Sequence, residues 1–378
     1  MATKHGDPDR NNPATAPPPP PPLPLAIAPQ PPPQQQQEHV PSPQQQQKPK
    51  TFLLTSAVTP LGFALARHLL LADGRCSGNR VAACSPRAQL SSPLLATLRT
   101  LAAAAAGADD ADDADGRVIV LELDPVVPST VQAAMAQAAA QFGGRLDVVV
   151  HTGVGTEVGA LEELAVATGP HATPHVTRQF EHGYYGRVAV VRAALALMRR
   201  QRGGHVVVVT GLTGAMGTPG LALRCAADHA IEGLLEALAF EVAPFAVRVS
   251  IVQPSVEVAV WGCGPVATAA PLAAYDAVHR VRAVRALAAN PDLALAAHAS
   301  PDLADTVRVI AAIAGSDNPP GRVTVGAHAV DAVRERLKTL SEELEEYLDA
   351  SLAADILAPP GVGGTGGRTR PVGVDIDE

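Results

Sequence analysis

Aromatic residues and lysines are scarce in this chain of 378 residues. Phe, Trp and Tyr together make up 3% of it, and beyond Lys50 the only lysine is Lys338. No apolar run approaches the roughly 20 residues that a membrane-spanning helix needs. The net charge of −8 provides no positive surface for nucleic acid or for an anionic membrane. The sequence therefore predicts no membrane span and no nucleic-acid partner.

Cysteine is also rare and carries no metal-binding pattern. The four cysteines are far apart, and none belongs to a CxxC or CxxH pair, so they are interpreted as buried, reduced thiols. The first residues, MATKHGDPDRNN, lack the apolar stretch of a secretory signal. We therefore predict a cytoplasmic protein.

Composition divides the chain into a folded middle and two tails. Residues 1–50 are rich in Pro and Gln, and residues 358–378 in Gly and Pro; neither can bury enough apolar surface to fold, which predicts disorder. The six prolines at 17–22 favour a polyproline II helix, which is either the ligand of an aromatic groove or a low-complexity tail without one. Between the tails we predict one domain over 51–330 and a C-terminal helical extension over 331–357.

Short apolar, β-branched runs alternate with helical patterns through the folded middle. They are TFLLTS (51–56), RVAACS (80–85), RVIVLEL (117–123), LDVVVH (146–151), HVVVVT (205–210), VRVSIV (247–252) and RVTVG (322–326). Continuous apolar runs are typical of parallel strands buried on both faces. The alternation predicts an α/β fold with a doubly wound, seven-stranded parallel sheet. The stretch at 107–116 is interpreted as an acidic loop and the one at 333–353 as a charged, amphipathic helix.

The first strand–helix junction, TFLLTSAVTPLGFALARHLL, carries a family resemblance. It resembles the short-chain dehydrogenase/reductase family, whose loop is T-G-x-x-x-G-x-G; Thr55 and Gly62 match, and Ser56 and Pro60 replace its first two glycines. The resemblance extends over about residues 51–350 and is closest to the estradiol and retinol dehydrogenases. It implies a Rossmann-like fold and hydride exchange between a nicotinamide cofactor and a lipid-like alcohol or ketone.

The same resemblance places the catalytic set, and every position of it is altered. The family's tyrosine becomes Arg224, the lysine four residues later becomes Asp228, the serine becomes Gly211 and the asparagine becomes Gly183. No Y-x-x-x-K occurs anywhere in the chain, so no shifted alignment restores the pair. A substituted set that uses His182 or His229 is an alternative.

Arginine and aspartate cannot take over the roles of the missing pair. Arginine has no removable proton near neutral pH and no acceptor atom. An aspartate at the lysine position would raise the pKa of a neighbouring acid rather than lower it. The structural interpretation of Arg224 and Asp228 is an i,i+4 ion pair on a helix face, worth a few tenths of a kcal/mol.

The cofactor loop is predicted to be weakened. Pro60 removes an amide donor, and Ser56 would be strained if its position required a positive φ. With Thr59 as N-cap, Pro60 still begins a helix well. Arg87, near the end of the second strand, favours NADP over NAD, and Asp124 matches the position that contacts the adenine, although a surface arginine and a turn residue explain both equally.

Two functions remain open at this point. The residues favour a non-catalytic relative that acts as a scaffold, a partner subunit or a binder of an apolar ligand in a cleft near Trp261. The resemblance favours an NADP-dependent oxidoreductase of lipid-like alcohols or ketones with non-standard catalytic residues. In either case we predict a homodimer through the helices at 184–201 and 220–243, or a heterodimer with an active relative through the same surface.

Overall fold

A computed structural model describes six ranges of the chain: residues 49–72, 75–76, 78–106, 116–164, 174–290 and 301–353. All of these residues belong to one compact unit, Lys48–Glu378. The polyproline stretch, the C-terminal tail and nearly all of the acidic stretch at 107–116 lie outside the described residues. The sequence-based interpretations of those segments therefore stay predictions.

Seven parallel strands form the central sheet, which confirms the predicted fold class. They are β1 (Thr51–Leu54), β4 (Arg80–Ser85), β5 (Val118–Glu122), β6 (Val148–His151), β8 (Gly204–Val209), β9 (Val247–Gln253) and β11 (Arg322–Thr324). The spatial order is β5-β4-β1-β6-β8-β9-β11. Two small pairs lie outside this sheet: β2 (Leu71–Ala72) is antiparallel to β3 (Arg75–Cys76), and β7 (Thr156–Val158) is parallel to β10 (Val266–Thr268).

Helices connect the strands. They are α1 (Pro60–Leu70), α2 (Pro93–Ala106), α3 (Pro128–Gln141), α4 (Leu161–Leu164), α5 (Pro174–Phe180), α6 (Gly186–Gln201), α7 (Ala222–Val242), α8 (Val256–Trp261), α9 (His279–Ala288), α10 (Pro301–Gly315), α11 (Ala327–Glu346) and α12 (Leu348–Ala353). Helices α5 and α6 are joined by a π-helical turn, Glu181–Tyr185. The final helix, predicted over 333–353, begins earlier, at Ala327, and it is interrupted at Tyr347, between α11 and α12.

The helices cover both faces of the sheet. Helices α1, α2 and α10 contribute buried leucines, valines and isoleucines to an apolar core on one face. Helices α3, α6 and α7 contribute a second core on the other face. Because both faces are buried, the strands are apolar at almost every position, as parallel sheets require.

The sequence predicts buried cysteines and no membrane-spanning helix. Cys84, Cys225 and Cys263 are free and buried. Over the part of the chain that the structure describes, every helix is either too short or too polar to cross a membrane.

Candidate functional site

A cleft opens at the carboxyl ends of β1, β4, β5 and β6, where α/β sheets bind their ligands. Its cavity measures about 490 Å³. Of the predicted cofactor-binding residues, Ser56 and Asp124 line this cavity. Thr55 is fully buried, and Arg87 is exposed in the short 3-10 turn that follows β4.

The loop after β1 starts α1 with the cap that the sequence predicts. Thr59 Oγ1 accepts a hydrogen bond from the Gly62 amide at 3.1 Å and donates to the Ser56 carbonyl at 2.9 Å. A Cβ at position 62 would overlap the Ser56 backbone, so only glycine fits there. Ser56 is absent from the described non-glycine residues with positive φ, so the strain that we considered for it does not arise.

The backbone amides in the first turn of α1 are all engaged or missing. Pro60 has none, the Gly62 amide bonds to Thr59, and the Leu61 amide donates to the carbonyl of Gly262 at 2.9 Å. Free amides at a helix N-terminus are what bind a phosphate group. Residues of the chain itself occupy these donors, so this turn does not fit a dinucleotide pyrophosphate.

The segment 262–268 runs along one wall of the cleft. The carbonyls of Cys263 and Pro265 accept hydrogen bonds from the amides of Val154 and Thr156, at 3.0 and 2.9 Å. Residues 266–268 continue as β10, paired with β7. The sequence does not predict this segment, because a three-residue strand carries no periodic pattern.

A buried cluster of three charged residues contains Arg224 and Asp228, the two residues that the resemblance places at the family's catalytic positions. Asp228 Oδ2 accepts a hydrogen bond from Arg224 Nε at 2.7 Å, and Asp228 Oδ1 accepts one from Arg187 Nη1 at 2.5 Å. All three side chains are 0% exposed. The predicted i,i+4 pairing of Arg224 with Asp228 is present, and the pair is buried, because α6 and the loop after β8 cover it.

The outer nitrogens of the two arginines donate to neighbouring oxygens, whereas Arg187 Nε has no hydrogen-bond partner among the described residues. Arg224 Nη1 donates to Thr156 Oγ1 at 2.9 Å, and its Nη2 donates to the Thr210 carbonyl at 3.0 Å. Arg187 donates to the carbonyls of Gly183 and Val209. These contacts join α6 and α7 to the carboxyl end of β8. Arg187 was missed in the sequence, although an arginine within the apolar run YYGRVAVV was a signal.

The electrostatics of this cluster keep Asp228 charged. Burial acts to raise the pKa of the Asp228 carboxyl, but Arg224 and Arg187 outweigh it and hold the pKa below its ordinary value. Burial and the two arginines lower the pKa of His151 to about 3, so this imidazole is neutral. Burial raises the pKa of the Cys263 thiol to about 11, against the influence of both arginines. No group among these is poised to exchange a proton near neutral pH.

Gly211 and Gly183, which the resemblance places at the family's serine and asparagine positions, flank the cluster, and Gly211 has no room for a side chain. Gly211 has φ of 106°, and a Cβ there would overlap the Cβ of Ala259. Gly183 lies in the π-helical turn, where its carbonyl accepts from Arg187. Nearby, the Thr213 hydroxyl donates to Asp228 Oδ2 at 2.6 Å. The structure thus places a hydroxyl beside the cluster, but that hydroxyl is bound to the carboxylate.

The other candidate residues separate into those at the cleft and those away from it. His182 lines the cavity, whereas His229 is exposed on α7 and bonds to the Cys225 carbonyl. Asp124 accepts from the Val126 amide at 3.0 Å, as a turn residue does. Trp261, which was expected near a cleft for an apolar ligand, is buried in an apolar cluster with Leu221 and Val260.

Comparisons with known proteins agree with this fold. A family model described as short chain dehydrogenase matches residues 50–259. Retinol dehydrogenase 8 of Bos taurus is 36% identical over 113 residues, which are 30% of this chain and 34% of that protein. 17-beta-hydroxysteroid dehydrogenase type 1 of Mus musculus is 29% identical over 221 residues, which are 58% of this chain and 55% of that protein. The aligned regions thus span about a third and about half of these two relatives.

A solved short-chain dehydrogenase from Streptomyces avermitilis has the same fold. It superposes with a TM-score of 0.62 at 25% sequence identity, over 82% of this chain and 100% of that one. The sheet order, the cleft and these similarities lead to one conclusion: the chain belongs to the short chain dehydrogenase family, near its members named retinol dehydrogenase and 17-beta-hydroxysteroid dehydrogenase.

Proposed function

We propose that this chain has lost hydride-transfer catalysis and serves as a binding or partner subunit. The observation that carries the proposal is the buried cluster of Arg187, Asp228 and Arg224 at the catalytic position. A guanidinium neither gives nor accepts a proton near neutral pH. The donors of Arg224 are also bound inside the protein, so they are not directed at a substrate oxygen.

The cofactor loop supports the same proposal. Pro60 has no amide, and the next two amides of α1 are bound within the chain. A dinucleotide would have to bind without these phosphate contacts, each of which contributes roughly 1.5–3 kcal/mol when the acceptor is charged. Because Arg87 is exposed, any remaining affinity should favour the 2′-phosphate of NADP over the hydroxyl of NAD.

The test is a pair of measurements on the full-length chain. Calorimetric titration with NADPH should give a dissociation constant near millimolar or no detectable heat. Assays with retinoid, steroid and simple carbonyl substrates should give no NADPH oxidation above the background without protein. Substrate-dependent NADPH oxidation by the unmodified chain would contradict the proposal.

The second candidate function is an NADP-dependent oxidoreductase that acts on lipid-like alcohols or ketones with substituted residues. It is favoured by His182, which lines the cleft beside Glu157 and Arg178. An imidazole there has a proton-accepting nitrogen, which neither arginine of the cluster has. If this function is real, His182→Ala abolishes turnover, while the same change at the exposed His229 leaves it intact.

We propose that the subunit associates through α6 and α7, as a homodimer or with an active relative. The exposed aromatic rings of Tyr185 and Phe240, 64% and 72% exposed, lie at the start of α6 and near the end of α7. Phe240→Asp should halve the mass measured by light scattering. We also propose that residues 17–22 bind a polyproline-binding module. Deleting residues 1–50 should then abolish recovery of that module in a pull-down.

The free buried cysteines favour a cytoplasmic location.

A further inference from the structure

Helix α11 carries an apolar stripe with a coiled-coil spacing. We call it the α11 stripe, and it consists of Val330, Val333, Leu337, Leu340 and Leu344 on the helix and of Tyr347, the residue that caps its C-terminus. Successive members are three or four residues apart, which is the a/d pattern of a heptad repeat. An a/d pattern of this kind is the seam of two paired helices, rather than the wider face of a helix that covers a sheet.

The structure leaves most of the α11 stripe open to solvent. Leu337 and Leu344 are each 61% exposed, Leu340 is 43% exposed and Tyr347 is 60% exposed. Ala329 is the only residue of α11 that is buried. Within the described residues, no other helix or strand of this chain therefore covers the stripe. Exposed apolar rows of this length mark an interaction surface.

We propose that α11 pairs in antiparallel orientation with α11 of a second copy of this chain. In antiparallel pairs, an a residue packs against a d residue of the other helix. The α11 stripe then forms complete layers, since Val330 packs on Tyr347, Val333 on Leu344 and Leu337 on Leu340 of the second copy. All six members are covered and none is left over.

The charges beside the stripe favour this orientation. Arg336 and Glu343 occupy the g positions, which face each other across an antiparallel pair. Arg336 of each copy therefore faces Glu343 of the other, which makes two symmetric ion pairs. In a parallel pair, Arg336 would instead face Ser341 and Glu343 would face Leu348, without any charge pairing. This complementarity identifies a second copy as the occupant of the surface.

The first test measures the mass of the full-length protein by light scattering. Leu337→Ser with Leu344→Ser should halve the mass, whether or not α6 and α7 form a separate interface. The matched control, Glu335→Ser with Glu342→Ser, changes the opposite face of the same helix and should leave the mass unaltered. An unchanged mass in the leucine variant overturns the proposal. The thermal midpoint should be similar in all forms, because α11 buries little against its own domain.

Charge exchange tests the orientation. Arg336→Glu and Glu343→Arg should each weaken self-association at least severalfold, because like charges then face each other. An equimolar mixture of the two variants should recover wild-type association, since each variant complements the other. Glu335→Arg is the control for a charge change outside the seam and should associate as the wild type does. If the mixture fails to recover, the antiparallel pairing is wrong.

Cross-linking separates the two orientations independently of affinity. A mixture of Val330→Cys and Tyr347→Cys copies should form a disulfide-linked dimer under mild oxidation, whereas Val330→Cys alone should not. Val330→Cys self-linking would show a parallel pair instead. Vesicles of phosphatidylcholine and phosphatidylserine serve as the competing occupant: sedimentation with them that depends on Leu337 and Leu344, with no mass change in solution, would assign the stripe to a lipid surface and overturn the proposal.

Discussion

The Leu61 amide and the Gly262 carbonyl form a hydrogen bond of 2.9 Å that closes the N-terminus of α1 from within the chain. The bond joins the loop after β1 to the segment that follows α8. It engages a donor in the turn where Pro60 already lacks one. Two different features of the sequence, a proline and a distant loop, thus reduce the same phosphate-binding capacity.

The first prediction concerns this turn. Pro60→Ala adds one amide at the start of α1, which should lower the dissociation constant of NADPH about tenfold, equivalent to about 1.4 kcal/mol. Calorimetric titration measures the change. Pro93→Ala, at the first residue of α2, provides the matched control and should have no effect. Equal affinity in the Pro60 variant and the wild type would show that the amide does not reach the ligand.

The second prediction concerns the buried cluster. Asp228→Ala leaves Arg187 and Arg224 buried without their counter-charge and should lower the free energy of unfolding by about 3–5 kcal/mol. Urea unfolding measures it. Asp305→Ala removes an exposed partner of Arg308 and should change stability by less than about 0.5 kcal/mol. A small loss of stability in Asp228→Ala would mean that water molecules or structural relaxation compensate for the missing counter-charge of the two arginines.

A third prediction concerns restoration of the family's residues. Arg224→Tyr, Asp228→Lys and Gly211→Ser together should give no NADPH oxidation and a lower thermal midpoint than the wild type. The reasons are steric and electrostatic: position 211 has a positive φ and no room for a Cβ, and a lysine at 228 would lie beside the cation of Arg187. Measurable turnover by the triple variant would refute this.

The fourth prediction is a pH dependence of stability. His151 has a pKa lowered to about 3 in the folded protein, so the unfolded chain takes up the proton first as the pH falls. The contribution of neutral His151 to the free energy of unfolding is complete above about pH 6.5 and is lost as the pH falls toward 3. The loss between pH 7 and pH 5 is about 2 kcal/mol. His151→Leu should reduce this loss in urea titrations at the two pH values. The exposed His279 is the control, and His279→Leu should leave the loss unchanged.

Much of the fold could be predicted from the sequence because its signals are local. Each of the seven strands is a continuous apolar run, and each run appears in the sheet within two residues of its predicted ends. Thr59 and Pro60 begin α1 as predicted, since capping depends only on neighbouring residues.

The site was harder to predict because its contacts are distant in sequence. The pairing of Arg224 with Asp228 follows from their spacing on one helix, but their burial depends on Arg187, which is 41 residues from Asp228. The segment 262–268 has no local pattern either, and its role appears only when its carbonyls meet the amides of Leu61, Val154 and Thr156. Long-range polar contacts of this kind leave almost no trace in residue periodicity.

The buried cluster also constrains how this chain could change over generations. Replacing Asp228 by a neutral residue leaves two buried guanidinium groups without a counter-charge, and replacing either arginine leaves the buried oxygens it binds without that donor, so the first step toward a catalytic pair passes through a destabilised intermediate. Several substitutions would have to arise together, or after compensating changes elsewhere. The cluster therefore acts as an evolutionary barrier: it makes the return of hydride-transfer chemistry much less accessible than its loss.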